Sequence, residues 1–254
     1  MEYYWARRRG FPPERVESPD ELSRPRRNLC VVCTQLDMPA RAQRRLVQAW
    51  CSVLPTLETM EHLWFFSRVP QDLFNAACEV PRLKGLYVKW SGVKNIEAVT
   101  GARHLQAFHL GDSAQLQAID CLSSMSRLRW LGLGNIKRIS RLDPIGKLTG
   151  LEGLALDGSV WTTQRVETLA PIGRLLGLKF LSISNLRAAD RTLRPLFVLR
   201  KLEAFQAALW WDPEEVEELY ARNPRLPPNQ AHEPASAQRR SRRSATDVSQ
   251  TKLS

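Results

Sequence analysis

The chain has 254 residues, 43% of them hydrophobic, with 37 Lys and Arg against 26 Asp and Glu and a formal charge of +11. That apolar share suits one elongated domain with tails, and no apolar run approaches the roughly 18 residues that a bilayer-spanning helix needs. The five cysteines stand at scattered spacings, which argues against a disulfide framework. The opening MEYYWARRRG has neither an apolar stretch nor a small-residue cleavage site, so no secretion leader is expected, and the thiols are expected reduced in a cytoplasm.

Residues 1–27 mix arginines with Pro12, Pro13, Pro19 and Pro25 and with Tyr3, Tyr4, Trp5 and Phe11. This reads as an irregular segment whose aromatics pack on the first part of the core. NLCVVCTQL at 28–36 reads as a strand, and PARAQRRLVQAWCSV at 39–53 as an amphipathic helix with Leu46, Val47, Trp50 and Val53 inward. Pro39 suits a first-turn position. Residues 28–56 together form an atypical first unit that covers one end of the core.

From 57 to 211 the chain repeats itself. LDPIGKLTGL at 142–151 and LAPIGRLLGL at 169–178 share seven of ten positions. Looser copies stand at 96–105, 119–128 and 193–202. Each copy runs into an apolar-x-x-apolar-x-apolar pattern starting at Met60, Leu83, Leu105, Leu128, Leu151, Leu178 and Leu202, with steps of 23, 22, 23, 23, 27 and 24 residues. The second half, LGL, LAL or LSI, alternates as a strand with one buried face does. The first half places Leu142, Ile145, Leu148 and Leu151 three apart, as do Leu169, Ile172, Leu175 and Leu178. Spacing of three suits a 3₁₀ turn, and Pro144, Pro171 and Pro195 keep these segments short.

At 212–225, Asp212, Pro213 and the run EEVEELYAR give an N-cap, a first-turn proline and an acidic first turn for a closing helix. Trp210, Trp211, Val216, Leu219 and Tyr220 would close the core, with Glu214, Glu215, Glu217 and Glu218 on a solvated face. Residues 226–254 are a polar, disordered tail with QRRSRRS at 238–244.

The period and the L-x-x-L-x-L strings resemble the leucine-rich repeat family, most closely its short internalin-like class. The resemblance implies an α/β solenoid, with parallel strands on the concave face, short 3₁₀ or helical turns on the convex face, and helical caps. In that family an asparagine stands three positions after the last strand leucine. Here Asn135 and Asn185 come two after it, and Asp112, Gly158 and Trp90 take the place elsewhere.

A solenoid offers an extended binding surface. Strand residues that face away from the core line the concave side, where Trp64, Tyr87, Lys89, His109, Trp130 and Phe180 form a candidate partner-binding patch beside glycine and alanine positions. Aromatics are what interfaces concentrate at their energetic centre. No Ser-His-Asp set, catalytic carboxylate pair or phosphate loop stands in a recognisable context. The lone Cys30-Val-Val-Cys33 lacks a second ligand pair, and the histidines have no metal spacing. Neither a cofactor nor a metal is expected, and no segment outside the repeats is long enough for a catalytic domain.

The 27-residue step places extra residues around Trp161–Arg165, at the rim of the solenoid. The positive charge is spread, with 20 basic against 13 acidic residues at 56–211 and 7 against 7 from 212 onward. The expectation is a monomeric, non-catalytic scaffold that binds a protein through its concave face. The alternative is a nucleic-acid or anionic-surface binder using the basic tails, above all Arg239, Arg240, Arg242 and Arg243.

Overall fold

The computed structural model describes residues 13–159, 161–208 and 210–227. The aromatics of residues 1–12 and the tail arginines 239, 240, 242 and 243 lie outside the described residues. In chain order the strands are β1 (Arg15–Val16), β2 (Asn28–Val31), β3 (His62–Val69), β4 (Gly85–Ser91), β5 (Ala107–Leu110), β6 (Trp130–Gly134), β7 (Gly153–Asp157), β8 (Gln164–Val166), β9 (Phe180–Ile183), β10 (Leu186–Ala188) and β11 (Ala204–Ala207). All but β8 and β10 form one open parallel sheet, in the order β1-β2-β3-β4-β5-β6-β7-β9-β11. Strands β8 and β10 pair with each other, also in parallel.

The return segments are the helices α1 (Ala40–Val53), α2 (Gln71–Cys78), α3 (Asp143–Gly146), α4 (Ala170–Gly173) and α5 (Pro213–Ala221), with 3₁₀ turns at Glu97–Gly101, Asp120–Ser124 and Arg194–Leu196. The eight-residue α2 is longer than the three-spaced pattern suggests; it buries Leu73, Phe74, Ala77 and Cys78. Pro144 and Pro171 lie in the first turns of α3 and α4, where a missing N–H has no helical acceptor to lose.

Consecutive strands stack in register. Leu63, Leu86, Phe108, Leu131, Leu154, Leu181 and Phe205 are Cα partners from β3 to β11, and all are buried. Behind them, Leu142, Ile145 and Leu148 are buried, as are Leu169, Ile172 and Leu175 one turn on. Burial of each such side chain stabilises by about 1.5–3 kcal/mol, and one rung alone could not hide its leucines from water.

The repeated Pro-Ile-Gly string has a contact reason. A Cβ on Gly146 would lie 2.9 Å from the Pro171 carbonyl oxygen, and one on Gly173 would lie 2.3 Å from that of Pro195. Glycine lets the backbone of one return turn rest on the next. In the last turn the matching position is Phe197, whose ring lies 5.0 Å beneath the Arg222 guanidinium of the closing segment.

Two ends close the core. On α1, Val47 and Trp50 are buried, Leu46 packs at the margin and Val53 is half-exposed. Pro39 stands one position before the helix, as its N-cap, with no side-chain hydrogen bond. Trp50 Nε1 donates to the Glu17 carbonyl at 2.7 Å, which ties the helix to the chain leaving β1. The segment 1–27 is therefore not irregular throughout: Arg15–Val16 add an edge strand in register with Cys30 and Val31. At the other end Asp212 caps α5 by accepting from Glu214 N, and Trp211, Val216 and Leu219 are buried.

Glu215 is not on a solvated face. Its carboxylate accepts from Leu193 N at 2.6 Å and from the Thr192 hydroxyl at 2.7 Å, and pairs with Arg194. Asn223, absent from the expected core, is 1% exposed. Its amide donates to the Leu199 and Leu219 carbonyls, and its oxygen accepts from Leu202 N.

Candidate functional site

The in-register sheet brings the expected face residues into rows. One row runs Trp64, Tyr87, His109 and then Gly132 across β3 to β6. The ring centroids of Trp64 and Tyr87 are 4.0 Å apart, and those of Tyr87 and His109 are 4.4 Å apart with only 8° between the planes. Phe66 extends the array, stacked on Trp64 at 5.0 Å. It sits where the β3–β4 register shifts between Phe65 and Arg68. Lys89 Nζ lies 5.0 Å from the centroid of the Phe66 ring and 4.3 Å from that of Trp90. The Arg15 guanidinium lies 4.9 Å from the same Phe66 ring. All three distances are within cation–π reach.

The second row runs His62, Gly85, Ala107, Trp130, Gly153 and Phe180. A Cβ on Gly153 would fall 2.1 Å from Trp130 Cε3, so the indole lies on the bare backbone of the next strand. From there it comes within 6.4 Å of Phe180, centroid to centroid. A larger residue at 153 would push Trp130 off the sheet. Sequence reasoning placed all six residues on one face; it did not show that Gly153 seats the central ring.

The face is packed rather than fully open. Trp64 and Phe180 are buried at 7% and 9% exposure, whereas Tyr87, Lys89, His109 and Trp130 are half-buried. Cys30, Val32, Ala107 and Phe66 pack around the Trp64 end. Burial pulls the His109 imidazole down from 6.5 to about 3, because a charged ring would lose its hydration. Among the described residues its Nδ1 has no hydrogen-bond partner. His62 Nδ1 lies 3.1 Å from Asn28 Oδ1. His62 and His109 are not on adjacent strands, since β4 separates them.

At the far end of the face Asp157 Oδ1 accepts from Ser182 Oγ at 2.7 Å and from Ser184 N at 2.9 Å. Burial raises its pKa while these two bonds oppose the rise. The pair Cys30 and Cys33 divides between the two sides of the sheet: Cys30 packs with Trp64, and Cys33 lies in the leucine core. Burial pushes these thiols up to about 11 and about 12, away from nucleophilic thiolate.

The asparagine positions form a local substitute for a continuous ladder. Asp112, Asn135 and Asn185 adopt left-handed backbone, with φ of 44°, 52° and 51°, a conformation that Asn and Asp tolerate. Asn135 Nδ2 donates to Asp112 Oδ1 at 2.6 Å across one rung. Asn185 bonds instead within the inserted turn after β7, donating to the Ser159 and Thr162 carbonyls. The extra residues of the long repeat make that turn and lead into β8. No helix among the described residues is long and apolar enough to cross a membrane.

No protein-family model matches the chain, and a search of curated proteins finds no match. Among solved structures, the chain is similar to an internalin, InlF, of Listeria monocytogenes at 18% identity and a TM-score of 0.53, over 78% of this chain and 56% of that one. This chain thus spans about half the length of that internalin. Internalin C2 of the same organism aligns at 18% identity and a TM-score of 0.44, over 61% of this chain and 74% of the other. A leucine-rich repeat protein of Leptospira interrogans aligns at 15% and 0.40, over 69% of this chain and 56% of the other. At such identities the likeness is one of fold.

Proposed function

Starting from a leucine-rich repeat solenoid with the internalin-like fold, we propose that this chain is a non-catalytic scaffold that binds a partner protein through the strand face. The observation that carries the reading is the ring array from Phe66 through Trp64 and Tyr87 to His109, set beside Trp130 and Phe180 and bordered by Lys89. The array supplies rigid, pre-stacked aromatic edges, which lose little side-chain entropy when a partner arrives. Trp130 and Tyr87 are the anchors, because they keep part of their surface accessible while their neighbours hold them in place. Lys89 at the border favours a partner with a carboxylate close to its apolar contact. A catalytic role lacks support on this face: the Asp157 carboxylate is engaged by Ser182 Oγ and Ser184 N, and the His109 ring is stacked on Tyr87.

The test is affinity capture with the full chain and its Trp130→Ala and Lys89→Glu variants, followed by a dissociation constant for the purified partner. Trp130→Ala is expected to weaken binding about 30-fold or more, the loss typical of an interfacial tryptophan anchor, with the folded-state spectrum intact. Binding that survives both variants, yet disappears with salt or on neutralising Arg239, Arg240, Arg242 and Arg243, would move the function to the basic tail and refute the strand-face reading.

A further inference from the structure

Away from the strand face, the inserted turn and the small β8–β10 sheet carry a second surface. Trp161 is 93% exposed, yet the turn that bears it is tightly held. Ser159 N donates to the Thr162 carbonyl at 2.9 Å, and Thr162 N to the Ser159 carbonyl. Asn185 donates to both carbonyls, and the Thr163 hydroxyl donates to Asn185 Oδ1 at 3.0 Å. Gly158 is required there, since a Cβ would fall 2.4 Å from the Thr162 oxygen and 2.5 Å from that of Asn185. A large ring displayed on a braced turn contributes nothing to the core.

Beside the turn, Arg165 on β8 and Arg187 on β10 are Cα partners. Both are exposed between buried neighbours, so both side chains leave the same face of the little sheet. Partner positions on paired strands stand about 5 Å apart, and like charges placed opposite one another are unfavourable. Among the described residues neither arginine has a carboxylate within ion-pair distance. The acids that follow the two arginines in the chain take hydroxyl hydrogen bonds, Glu167 from Ser140 and Asp190 from Thr168. The Arg187 guanidinium lies 4.6 Å from the Trp210 ring centroid, and Trp210 Nε1 donates to the Leu186 carbonyl at 3.0 Å, holding that ring alongside the arginine.

We propose that Trp161, Arg165, Arg187 and Trp210 form a binding surface for single-stranded nucleic acid, with bases stacked on the indoles and phosphates on the paired guanidiniums. Two exposed arginines side by side without a carboxylate partner among the described residues favour an anion, and the planar guanidinium fork matches a phosphate. The exposed Trp161 indole on the turn that leads into β8, and the Trp210 ring beside Arg187, suit a polyanion that carries flat rings. A lipid surface fits less well, because the flank of the turn is made of the hydroxyl residues Ser159, Thr162 and Thr163, and Trp210 is pinned rather than free to insert. This surface is separate from the strand face, so either reading can fail without the other.

The experiment is fluorescence anisotropy of a short labelled oligothymidylate and an oligouridylate with the full chain, across a salt series. Its variants are Trp161→Ala, the pair Arg165→Gln with Arg187→Gln, and a tail variant with Arg239, Arg240, Arg242 and Arg243 changed to Gln. Trp161→Ala is expected to weaken binding about fivefold or more, the loss of one stacked base. The arginine pair is expected to reduce the slope of log affinity against log salt by about 1.4, two contacts on a single strand. The same losses are expected in the tail-variant background. The proposal is overturned if no oligonucleotide binds, or if only the tail variant changes affinity. It is equally overturned if phosphatidylserine vesicles or polyglutamate bind with the same Trp161 and arginine dependence as the oligonucleotides.

Discussion

Gly173 shows how one residue type can carry the stacking of a whole repeat. The carbonyl of Pro195 stands 2.3 Å from where its Cβ would be, and a backbone oxygen on a packed rung has no room to withdraw. Gly173→Ala is therefore expected to destabilise the fold by about 1–3 kcal/mol, in the range of overpacking substitutions. Gly101 supplies the control: no atom lies within 4 Å of its Cβ position, and Gly101→Ala is expected to be neutral or slightly stabilising. Denaturant melts of the two variants decide the matter, and equal stabilities would refute the contact explanation. Trp130 and Gly153 make the same point on the opposite side of the sheet, where a missing Cβ seats a ring instead of a turn.

Among the elements, the closing helix α5 is held by its buried Val216 and Leu219 and also by polar groups around it. Its N-cap was legible from Asp212-Pro213 because capping is a local rule. The role of Asn223 was not, since its partners Leu199 and Leu202 come from the previous return segment. Glu215 likewise reads as one of four surface glutamates until Thr192 and Leu193 are brought against it. Asn223→Ala would strand the Leu202 N–H and the Leu199 carbonyl in a buried end. The expected cost is about 3 kcal/mol, from unmet backbone groups at about 1–3 kcal/mol each. Glu217→Ala, on the exposed side of the same helix, is expected to cost less than about 0.5 kcal/mol. A comparable loss from both variants would refute the account.

For the whole molecule, each rung is supported by its neighbours, so cohesion depends on position along the stack. Strands β5, β6 and β7 have partners on both sides, whereas β11 pairs only with β9 among the described residues. Amide hydrogen exchange is expected to be slowest in β5–β7 and at least about tenfold faster in β11. Uniform protection from β3 to β11 would mean that the solenoid opens as one unit and would contradict this picture. The same stacking separates the two proposed surfaces. The ring array lies on the long sheet, and the Trp161 and arginine cluster lies on the short β8–β10 sheet.

The repeat period, the strand alternation, the inward leucines and the Asp212 cap are all readable in the amino-acid sequence. The period shows on comparing one repeat with the next, and the others depend on residues within one repeat, where hydrophobic periodicity records which side of a segment must leave water. The six face residues were also placed on one side by that alternation. How deeply each is buried was not readable, because it depends on residues a rung or more away: Phe66 and Cys30 against Trp64, Gly153 beneath Trp130, Arg15 over Phe66. The pairing of β8 with β10, which turns an insertion into an arginine pair, joins residues 22 apart in the chain. Contacts of that kind leave no local period, and they exist only once consecutive rungs have stacked in register.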